Sequence, residues 1–198
     1  TGVSDPANRG SLTFGYDPTS GRLTSVSDWM SPARSVSFGY DTQGRLSTAT
    51  DRENRTTTYG YDGTSHWLTT ITDANSHVAV TNHYDAQGRV DWQKDSRGLT
   101  TGEQTTFGYV TNQDGTKVTT VTYPATSFDP NWHPQVIDYY DAQGRLTKRI
   151  SKPTSSSAED VVVEYGYDAD SNLIWTRDGR GNQADLCYDV SYSGATIP

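Results

Sequence analysis

The sequence predicts an all-β protein, built from repeated antiparallel β-hairpins that form one long, twisted and spiralling sheet. Three observations support this class. A Tyr-Asp pair recurs along the whole chain, an aromatic-Gly-aromatic triplet often precedes it, and an apolar residue often follows with Asp five positions later. Self-similarity at a near-constant period is the mark of a repeat architecture. We therefore interpret residues 1–198 as a single strip of about seven hairpin units, or about 14 strands.

The repeat is anchored on Tyr-Asp, and the string YDAQGR occurs twice, at 84–89 and 140–145. The anchor pairs are Tyr16-Asp17, Tyr40-Asp41, Tyr61-Asp62, Tyr84-Asp85, Tyr140-Asp141, Tyr167-Asp168 and Tyr188-Asp189, with Tyr109-Val110 filling the gap. Catalysis needs one constellation, whereas a repeat architecture needs the same turn at every step. The duplicated string is therefore interpreted as a building block and not as an active site.

The first strand of each unit is indicated by the aromatic triplet. In a strand with period two, both aromatic side chains lie on one face and Gly lies on the other. The triplets are Phe14-Gly15-Tyr16, Phe38-Gly39-Tyr40, Tyr59-Gly60-Tyr61, Phe107-Gly108-Tyr109 and Tyr165-Gly166-Tyr167. Thr, Val and Ser flank them and favour strands, while no window combines a helical period with capping signals. Almost no helix is expected.

The turn after each Tyr-Asp has its own chemistry. The Asp carboxylate can accept from backbone N–H groups two residues on, and Gly supplies the positive φ that closes the hairpin. The pairs with a common spacing are Asp41/Gly44, Asp85/Gly88 and Asp141/Gly144. Three units differ and predict altered or longer loops: Asp17/Gly21 has one extra residue, Asp168 is followed by Ser171-Asn172, and the segment after Tyr109 is stretched.

The second strand runs from an apolar residue to an Asp that opens another turn. These pairs are Leu23/Asp28, Leu46/Asp51, Leu68/Asp73, Val90/Asp95 and Leu173/Asp178. Two stretches rich in Pro or Ser, near 110–137 and 151–161, interrupt the period and are interpreted as surface insertions.

Arginine recurs after the first turn, at Arg22, Arg45, Arg89 and Arg145. We expect these side chains to pair with the turn aspartates or to lie over Tyr rings. The predicted structural positions of the repeat are Tyr16, Asp17, Gly21, Tyr40, Asp41, Gly44, Arg45, Tyr61, Asp62, Tyr84, Asp85, Gly88, Arg89, Tyr140, Asp141, Gly144, Arg145, Tyr167 and Asp168.

Composition limits the function classes. Mean hydropathy is −0.76, and 13 Tyr and 5 Trp have to supply much of the apolar surface. The net charge of −8, without a basic cluster, argues against nucleic acid as a partner, and no apolar run is long enough for a membrane helix. The chain begins at Thr1, which favours a processed product or a piece of a longer polypeptide.

No catalytic residue, metal site or cofactor is predicted. Cys187 is the sole cysteine, and the four histidines lack metal-ligand spacing. The string Asp168-Ala-Asp170-Ser-Asn172 begins like a calcium loop but lacks the Gly and Glu that such a loop requires later. Asn54-Arg-Thr56 has the glycosylation pattern but sits in a repeat turn. Sugar stacking could use Trp67, Trp92, Trp132 and Trp175, although packing between strands is the simpler role.

The string Tyr-x-Tyr-Asp-x-x-Gly-Arg-Leu, followed by Asp-x-x-Gly/Asn, resembles the YD repeat of the RHS family from about Phe14 to Tyr188. The resemblance implies a strip of antiparallel hairpins that spirals into a hollow shell, found in large secreted or cell-surface bacterial proteins. In that family the wall is not an enzyme and often encloses a toxic C-terminal cargo. The Asp-Pro-x-Gly cluster linked to self-cleavage is missing here, so neither self-cleavage nor toxicity carries over.

These observations favour a non-enzymatic, extracellular structural protein that forms part of a shell or assembles head to tail into a ring or fibre. Its partners would be further copies pairing at open sheet edges, or the remainder of a larger RHS-type polypeptide. No capping segment is evident at 10–16 or 187–198. Two alternatives remain open: a carbohydrate-binding or cell-surface adhesion module, and a fragment of a toxin-encapsulating shell.

Overall fold

The structure, a computed structural model, describes residues 2–7, 9–127 and 129–187. The chain divides after Glu103 into two compact units, and within each unit every strand pairs antiparallel with its sequence neighbours. Regular structure beyond the strands is limited to one short α-helix and one 3-10 turn in the described residues. The predicted all-β, hairpin-repeat class is confirmed.

The first unit contains nine strands and the helix. Their bounds are β1 Gly2–Ser4, β2 Ser11–Tyr16, β3 Leu23–Asp28, β4 Ser35–Tyr40, β5 Leu46–Thr50, β6 Thr56–Tyr61, β7 Leu68–Thr72, β8 Val78–Tyr84, β9 Val90–Asp95 and α1 Ser96–Thr101.

The second unit contains seven strands and the 3-10 turn at Ser157–Glu159. Its strands are β10 Thr105–Thr111, β11 Lys117–Thr122, β12 Gln135–Tyr140, β13 Leu146–Lys152, β14 Val161–Tyr167, β15 Leu173–Asp178 and β16 Gln183–Asp185. Of the two predicted insertions, the stretch 110–137 contains β11 and the connection 123–134, and the stretch 151–161 contains the 3-10 turn.

Pairing register divides the side chains of the first unit between two faces, because directly opposed residues share a face. The aromatic face carries pairs such as Phe38 with Ala49 and Tyr59 with Ile71. The other, the hydroxyl face, carries Gly39 opposite Thr48. The hydroxyl face is composed mainly of Thr and Ser, at Thr13, Ser25, Ser27, Ser35, Ser37, Thr48, Thr50, Thr56, Thr58, Thr70, Thr72 and Thr81.

A conventional core is absent from the described part of the chain: no apolar side chain there is buried, and Asp138 is the sole buried polar side chain at 7% exposed. Each unit is therefore a single layer of sheet. Its stability comes from backbone ladders and from contacts between neighbouring strands and turns.

Two of the three loops predicted to be altered or longer are ordinary. At Asp168 the Asp N–H donates to the Asn172 carbonyl at 3.0 Å, and Ser171 adopts φ 67°, so Ser takes the left-handed position expected of Gly. After Tyr109 the strand continues to Thr111, and Asn112 to Thr116 then form the same turn with Gly115 at φ 84°. The prediction was wrong at these two positions because Asn and Ser can replace Asp and Gly here. It is confirmed at Asp17, whose N–H pairs with the Arg22 carbonyl across a loop one residue longer.

The turn predicted after Asp95 is replaced by α1. The Asp95 carboxylate accepts from the backbone N–H groups of Arg97 at 3.0 Å and Gly98 at 2.9 Å, which caps the helix. The left-handed position falls at Gly102, with φ 84°. No helix of the described residues has the length and apolarity needed to cross a membrane.

Candidate functional site

The Asp-centred turn is the structural unit of the repeat. At Asp41 one carboxylate oxygen, Oδ1, accepts from the backbone N–H groups of Gln43 and Arg45, both at 2.9 Å. The other oxygen, Oδ2, accepts from Arg45 Nε at 2.7 Å. The Gly44 N–H donates to the Asp41 carbonyl, and Gly44 has φ 79°. This is a three-residue hairpin loop ending in a bulged glycine, with the carboxylate holding both sides of the loop together.

The same turn occurs at both ends of the hairpins. The further closing pairs with this hydrogen bonding are Asp51–Arg55, Asp73–His77, Asp85–Arg89, Asp141–Arg145, Asp168–Asn172 and Asp178–Asn182. Sequence reasoning missed that the turns after the second strands use the same closing residue. The signal is present: Asp is followed three positions on by Gly, Asn or Ser, and four positions on by Arg, His or Asn.

Hydrogen bonding makes these carboxylates more acidic than usual. The backbone N–H of Arg55 donates to Asp51 and holds the pKa of that carboxyl below its usual value, and the Arg55 side chain adds to the effect. Similarly, the backbone N–H of Arg89 lowers the pKa of Asp85. The ionised form is the one that holds the turn closed.

A second set of contacts joins each hairpin to the one before it. The last Tyr of the first strand donates its hydroxyl proton to the backbone carbonyl of the Leu that opens the preceding second strand. These bonds are Tyr40 to Leu23 at 2.7 Å, and Tyr61 to Leu46, Tyr84 to Leu68 and Tyr167 to Leu146 at 2.8 Å each. Burial raises the pKa of the Tyr61 and Tyr167 hydroxyls. We call this series the tyrosine ladder.

The turn arginines also reach forward to the next hairpin. Arg45 donates Nη1 to the Gly63 carbonyl at 2.9 Å and to the Ser65 carbonyl, and its guanidinium carbon lies 4.6 Å from the centre of the Tyr61 ring. Arg22 and Arg145 do the same for their neighbours, with ring distances of 5.7 Å to Tyr40 and 5.1 Å to Tyr167. Both roles proposed for these arginines, pairing with Asp and lying over Tyr, are thus combined in Arg45.

Trp67 occupies the place of this arginine in one hairpin. Its ring stacks on Tyr84, with centroids 5.4 Å apart and planes 20° from parallel. A Cβ at Gly88 would lie 2.7 Å from the Trp67 ring, so the next turn needs Gly for space as well as for its φ of 76°. In that hairpin an aromatic stack replaces the cation–π contact.

Two hairpins replace the aromatic of the triplet by a polar residue, and in both the cross-strand partner changes with it. Asn82 accepts from Gln93 Nε2 at 2.8 Å. Asp138 and Arg149 form a two-pronged ion pair with both distances at 2.7 Å, and this hydrogen bonding raises the pKa of Arg149. Elsewhere the same position pairs an aromatic ring with a smaller side chain, as in Phe107 opposite Val121.

The remaining predicted repeat positions lie in variants of the same turn. Asp62 closes a longer loop, with its N–H on the Trp67 carbonyl at 3.0 Å. Tyr16, in the first hairpin, is 49% exposed. Burial raises the pKa of Tyr140. The pair Tyr188-Asp189 lies outside the described residues.

The four tryptophans predicted as sugar contacts are all half-buried. Trp92 stacks on His83 at 5.1 Å with Lys94 5.3 Å from its ring, and Trp175 lies against Gly166 with Arg177 over its ring. Trp132 lies in the 123–134 connection, and its Nε1 is buried without a hydrogen-bond partner. Sugar binding by these four stays a prediction. The fifth, Trp29, was not among the candidates and is 55% exposed.

No cluster of three metal-ligating side chains is formed by the described residues, and Cys187 is exposed. Asp168 and Asn172 bond to each other at 3.0 Å as the closing pair of their turn. Asn54 occupies the left-handed position of the Asp51 turn, with φ 60°.

Fold and contacts together define a β-hairpin repeat protein. Residues 40–78 match the family model of the RHS repeat. The resemblance to the RHS/YD-repeat family is confirmed over these residues. No curated protein matches the sequence.

Three solved structures share the fold. The TcdB2-TccC3-Cdc42 structure is 15% identical with a TM-score of 0.56, over 85% of this chain and 10% of that one. The TcdB2-TccC3 structure is 13% identical with a TM-score of 0.53, over 92% and 13%. A Photorhabdus luminescens Tc holotoxin pore is 14% identical with a TM-score of 0.50, over 89% and 12%. The chain spans about an eighth or less of each of these proteins.

Proposed function

We propose that this chain is a non-enzymatic wall segment of an extracellular β-sheet assembly. The observation that carries the proposal is that the tyrosine ladder and the turn arginines make the same contacts between one hairpin and the next. We call this repeated set of contacts the handover. Because each hairpin contacts the next in the same way, the sheet can be extended by repeating one unit.

The stagger of the strands supports a curved wall. On the aromatic face Phe14, Val26 and Val36 form one cross-strand row, and the next aromatic, Phe38, lies two residues further along. The same shift of two residues per hairpin recurs from Thr57 to Tyr59 and from Val136 to Asp138. A shift of two residues per hairpin is a stagger of one residue per strand. The same stagger per strand occurs in a barrel of eight strands with a shear number of eight, whose strands tilt by about 36° from the barrel axis.

The chemistry of the acidic side chains supports a structural role. The carboxylates that recur in the repeat are already committed to backbone N–H groups and to a closing Arg, Asn or His, as at Asp41 and Asp178. A carboxylate that holds a turn closed is poorly placed to exchange protons with a substrate.

The natural setting we propose is a larger RHS-type polypeptide, with this chain as part of its wall. The narrower form is a fragment of a toxin-encapsulating shell, in line with the Tc holotoxin pore named among the structural neighbours. The alternative setting is head-to-tail pairing of copies through the outer edges of β1 and β16, which are three residues long each.

Negative-stain microscopy of the natural-length product tests the proposal. A hollow closed particle supports the shell, and a ring or fibre supports head-to-tail assembly. A solid globular particle whose purified form turns over a substrate contradicts both.

A matched pair of variants tests the handover itself. Arg45 contacts the next turn, whereas Arg55 closes the same kind of turn but is 64% exposed and pairs with its own turn residues Asp51 and Glu53. Arg45→Lys should increase amide exchange across residues 62–67, and Arg55→Lys should leave those amides unchanged. Equal exchange in the two variants contradicts the handover.

A second candidate, binding of carbohydrate at a cell surface, is favoured by the exposure of Trp29. Its ring lies against Gly10, where a Cβ would come within 2.5 Å, beside the ion pair of Asp5 and Arg9 at 2.5 Å. A planar ring next to polar groups suits sugar stacking. Trp29→Ala should abolish binding on a glycan array and Trp92→Ala should not. An array without binders, or equal loss in both variants, contradicts this candidate.

A further inference from the structure

The aromatic face of the first unit is apolar and uncovered. Its rows contain mainly Phe, Tyr, Val, Ile, Ala and Thr, as in the row from Tyr59 through Ile71 to Val80. Charged side chains lie only near the ends of the strands, with Asp28 opposite Leu12 and Asp95 opposite Val80. The apolar side chains of this row are half-buried, so further burial would still provide free energy. A sheet with one apolar face is normally covered by another layer.

Three depressions on this face join into one trough. Each has a volume of about 430–440 Å³. The depression that Trp29 lines shares Leu12 with the one that Asp28 lines, and the latter shares Val36 with the depression that Phe38 lines. The exposed surface of the lining is mainly apolar, and it includes two exposed side chains, Val3 at 64% and Trp29 at 55%. The trough therefore offers a continuous apolar surface from β1 to β6.

The rim of the trough is charged but largely balanced. Asp5 pairs with Arg9, Asp28 with Arg34, and Asp51 with Arg55, so these three turns are neutral as pairs. The exception is Asp73, which also lines the trough and whose turn is closed by His77 instead of an arginine. The chain as a whole carries −8, which would oppose self-association through an acidic surface. At this face the repulsion is reduced, because most of the rim charges cancel locally.

We infer that the aromatic face of the first unit, centred on the trough, docks a second copy of the chain face to face. Eight strand spacings of about 4.8 Å and a strand length of about 20 Å give roughly 750 Å² per copy. That is close to the roughly 800 Å² per partner of a standard stable interface. Two such sheets would pack about 10 Å apart, and the contact is isologous, so it closes at a dimer. This inference does not rest on the shell proposal.

Matched pairs of adjacent residues test the inference. Val36 and Ser37 are neighbours on β4, both exposed, with Val36 on the aromatic face and Ser37 on the hydroxyl face. Leu12 and Thr13 offer the same contrast on β2. The measurement is sedimentation equilibrium of the parent and the four Lys variants from about 1 to 200 µM, a range set by the affinity scale for weak dimers.

The parent, Ser37→Lys and Thr13→Lys should dimerise alike. Val36→Lys and Leu12→Lys should weaken the dimer at least about tenfold, because each places a charge in the contact. Circular dichroism of the dilute variants checks that the sheet is retained, and Leu12→Lys serves if Val36→Lys does not fold.

Three results overturn the inference. One is a parent that stays monomeric throughout the concentration range. This holds even if the monomer binds a hydrophobic dye, because the face would then be open to a partner other than a second copy. The second is equal dimerisation of both members of each pair. The third is an open series of higher oligomers, which indicates pairing at strand edges. None of these results bears on whether the natural-length product forms a shell, so the two proposals fail separately.

Discussion

Removing one hydroxyl from the tyrosine ladder tests the contact on which the repeat depends. Tyr61→Phe deletes the bond of 2.8 Å to the Leu46 carbonyl and leaves the ring in place beneath the Arg45 guanidinium. Tyr59→Phe is the matched control, because Tyr59 lies on the same strand and face and its hydroxyl makes no hydrogen bond within the described residues.

The expected magnitude follows from the bond. A neutral hydrogen bond in a partly buried site contributes about 1 kcal/mol net, and water can reach the orphaned carbonyl, so the loss should be about 1 kcal/mol and not the 2–3 kcal/mol of a sealed site. For a chain of this size that corresponds to about 2–4 °C in Tm. Tyr59→Phe should change stability by less than about 0.3 kcal/mol, within the usual range for peripheral substitutions.

The assay is urea unfolding followed by circular dichroism, repeated on a pH series. Burial raises the pKa of Tyr61 in the folded state, so the neutral phenol stabilises the fold below about pH 10 and the contribution is lost as pH rises through the raised value. The gap between the parent and Tyr61→Phe should therefore narrow in alkali. Equal effects of the Tyr59 and Tyr61 variants at neutral pH would refute the ladder as a stabilising contact.

Three further outcomes are expected. Gly88→Ala and Gly21→Ala each place a side chain at positive φ, which costs about 1–2 kcal/mol of unfolding free energy. Gly88→Ala should cost more, as measured by urea unfolding, because its methyl group meets Trp67, whereas nothing lies within 4 Å of Gly21. Equal costs would contradict this role of Trp67. Arg149→Val should lose about 3 kcal/mol, the low end of the range for removing one partner of a buried ion pair, because Arg149 is 45% exposed. The double variant with Asp138→Phe should recover most of that stability, and no recovery would contradict the idea that the ion pair takes the place of an apolar pair. The turn carboxylates have lowered pKa values, so their contribution is present above about pH 4 and lost as pH falls below it, and a fold whose stability is flat from pH 5 to pH 2 would contradict their role.

Strands and first turns could be predicted because their signals are local. The pair Leu23/Asp28 gives the bounds of β3, and Leu173/Asp178 those of β15. Period-two alternation and the side chain of a turn Asp act within six residues, which a sequence displays directly. Seven hairpins run from β2 to β15, and β1 and β16 flank them in the described residues.

The contacts between hairpins could not be predicted, because the partners in the tyrosine ladder are 15 to 21 residues apart and one of them is a backbone carbonyl. The sequence shows that Tyr recurs at the position of Tyr61. It does not show that the hydroxyl reaches Leu46, because every residue of the neighbouring strand offers the same kind of backbone carbonyl. The helix after Asp95 escaped for a different reason: its cap is the same Asp that opens every other turn, and six residues are too few to establish a period.

The repeat conserves contacts more closely than it conserves residues. Trp67 replaces an Arg and still covers the next Tyr, and Ser171 replaces a Gly and still takes the left-handed position. A family model reads residue identity, which explains why it matches residues 40–78 while the hairpins run from β2 to β15. Substitutions that keep the contact should therefore be tolerated: Trp67→Arg should retain stability because it restores the cation that the other turns use, whereas Trp67→Ala should not.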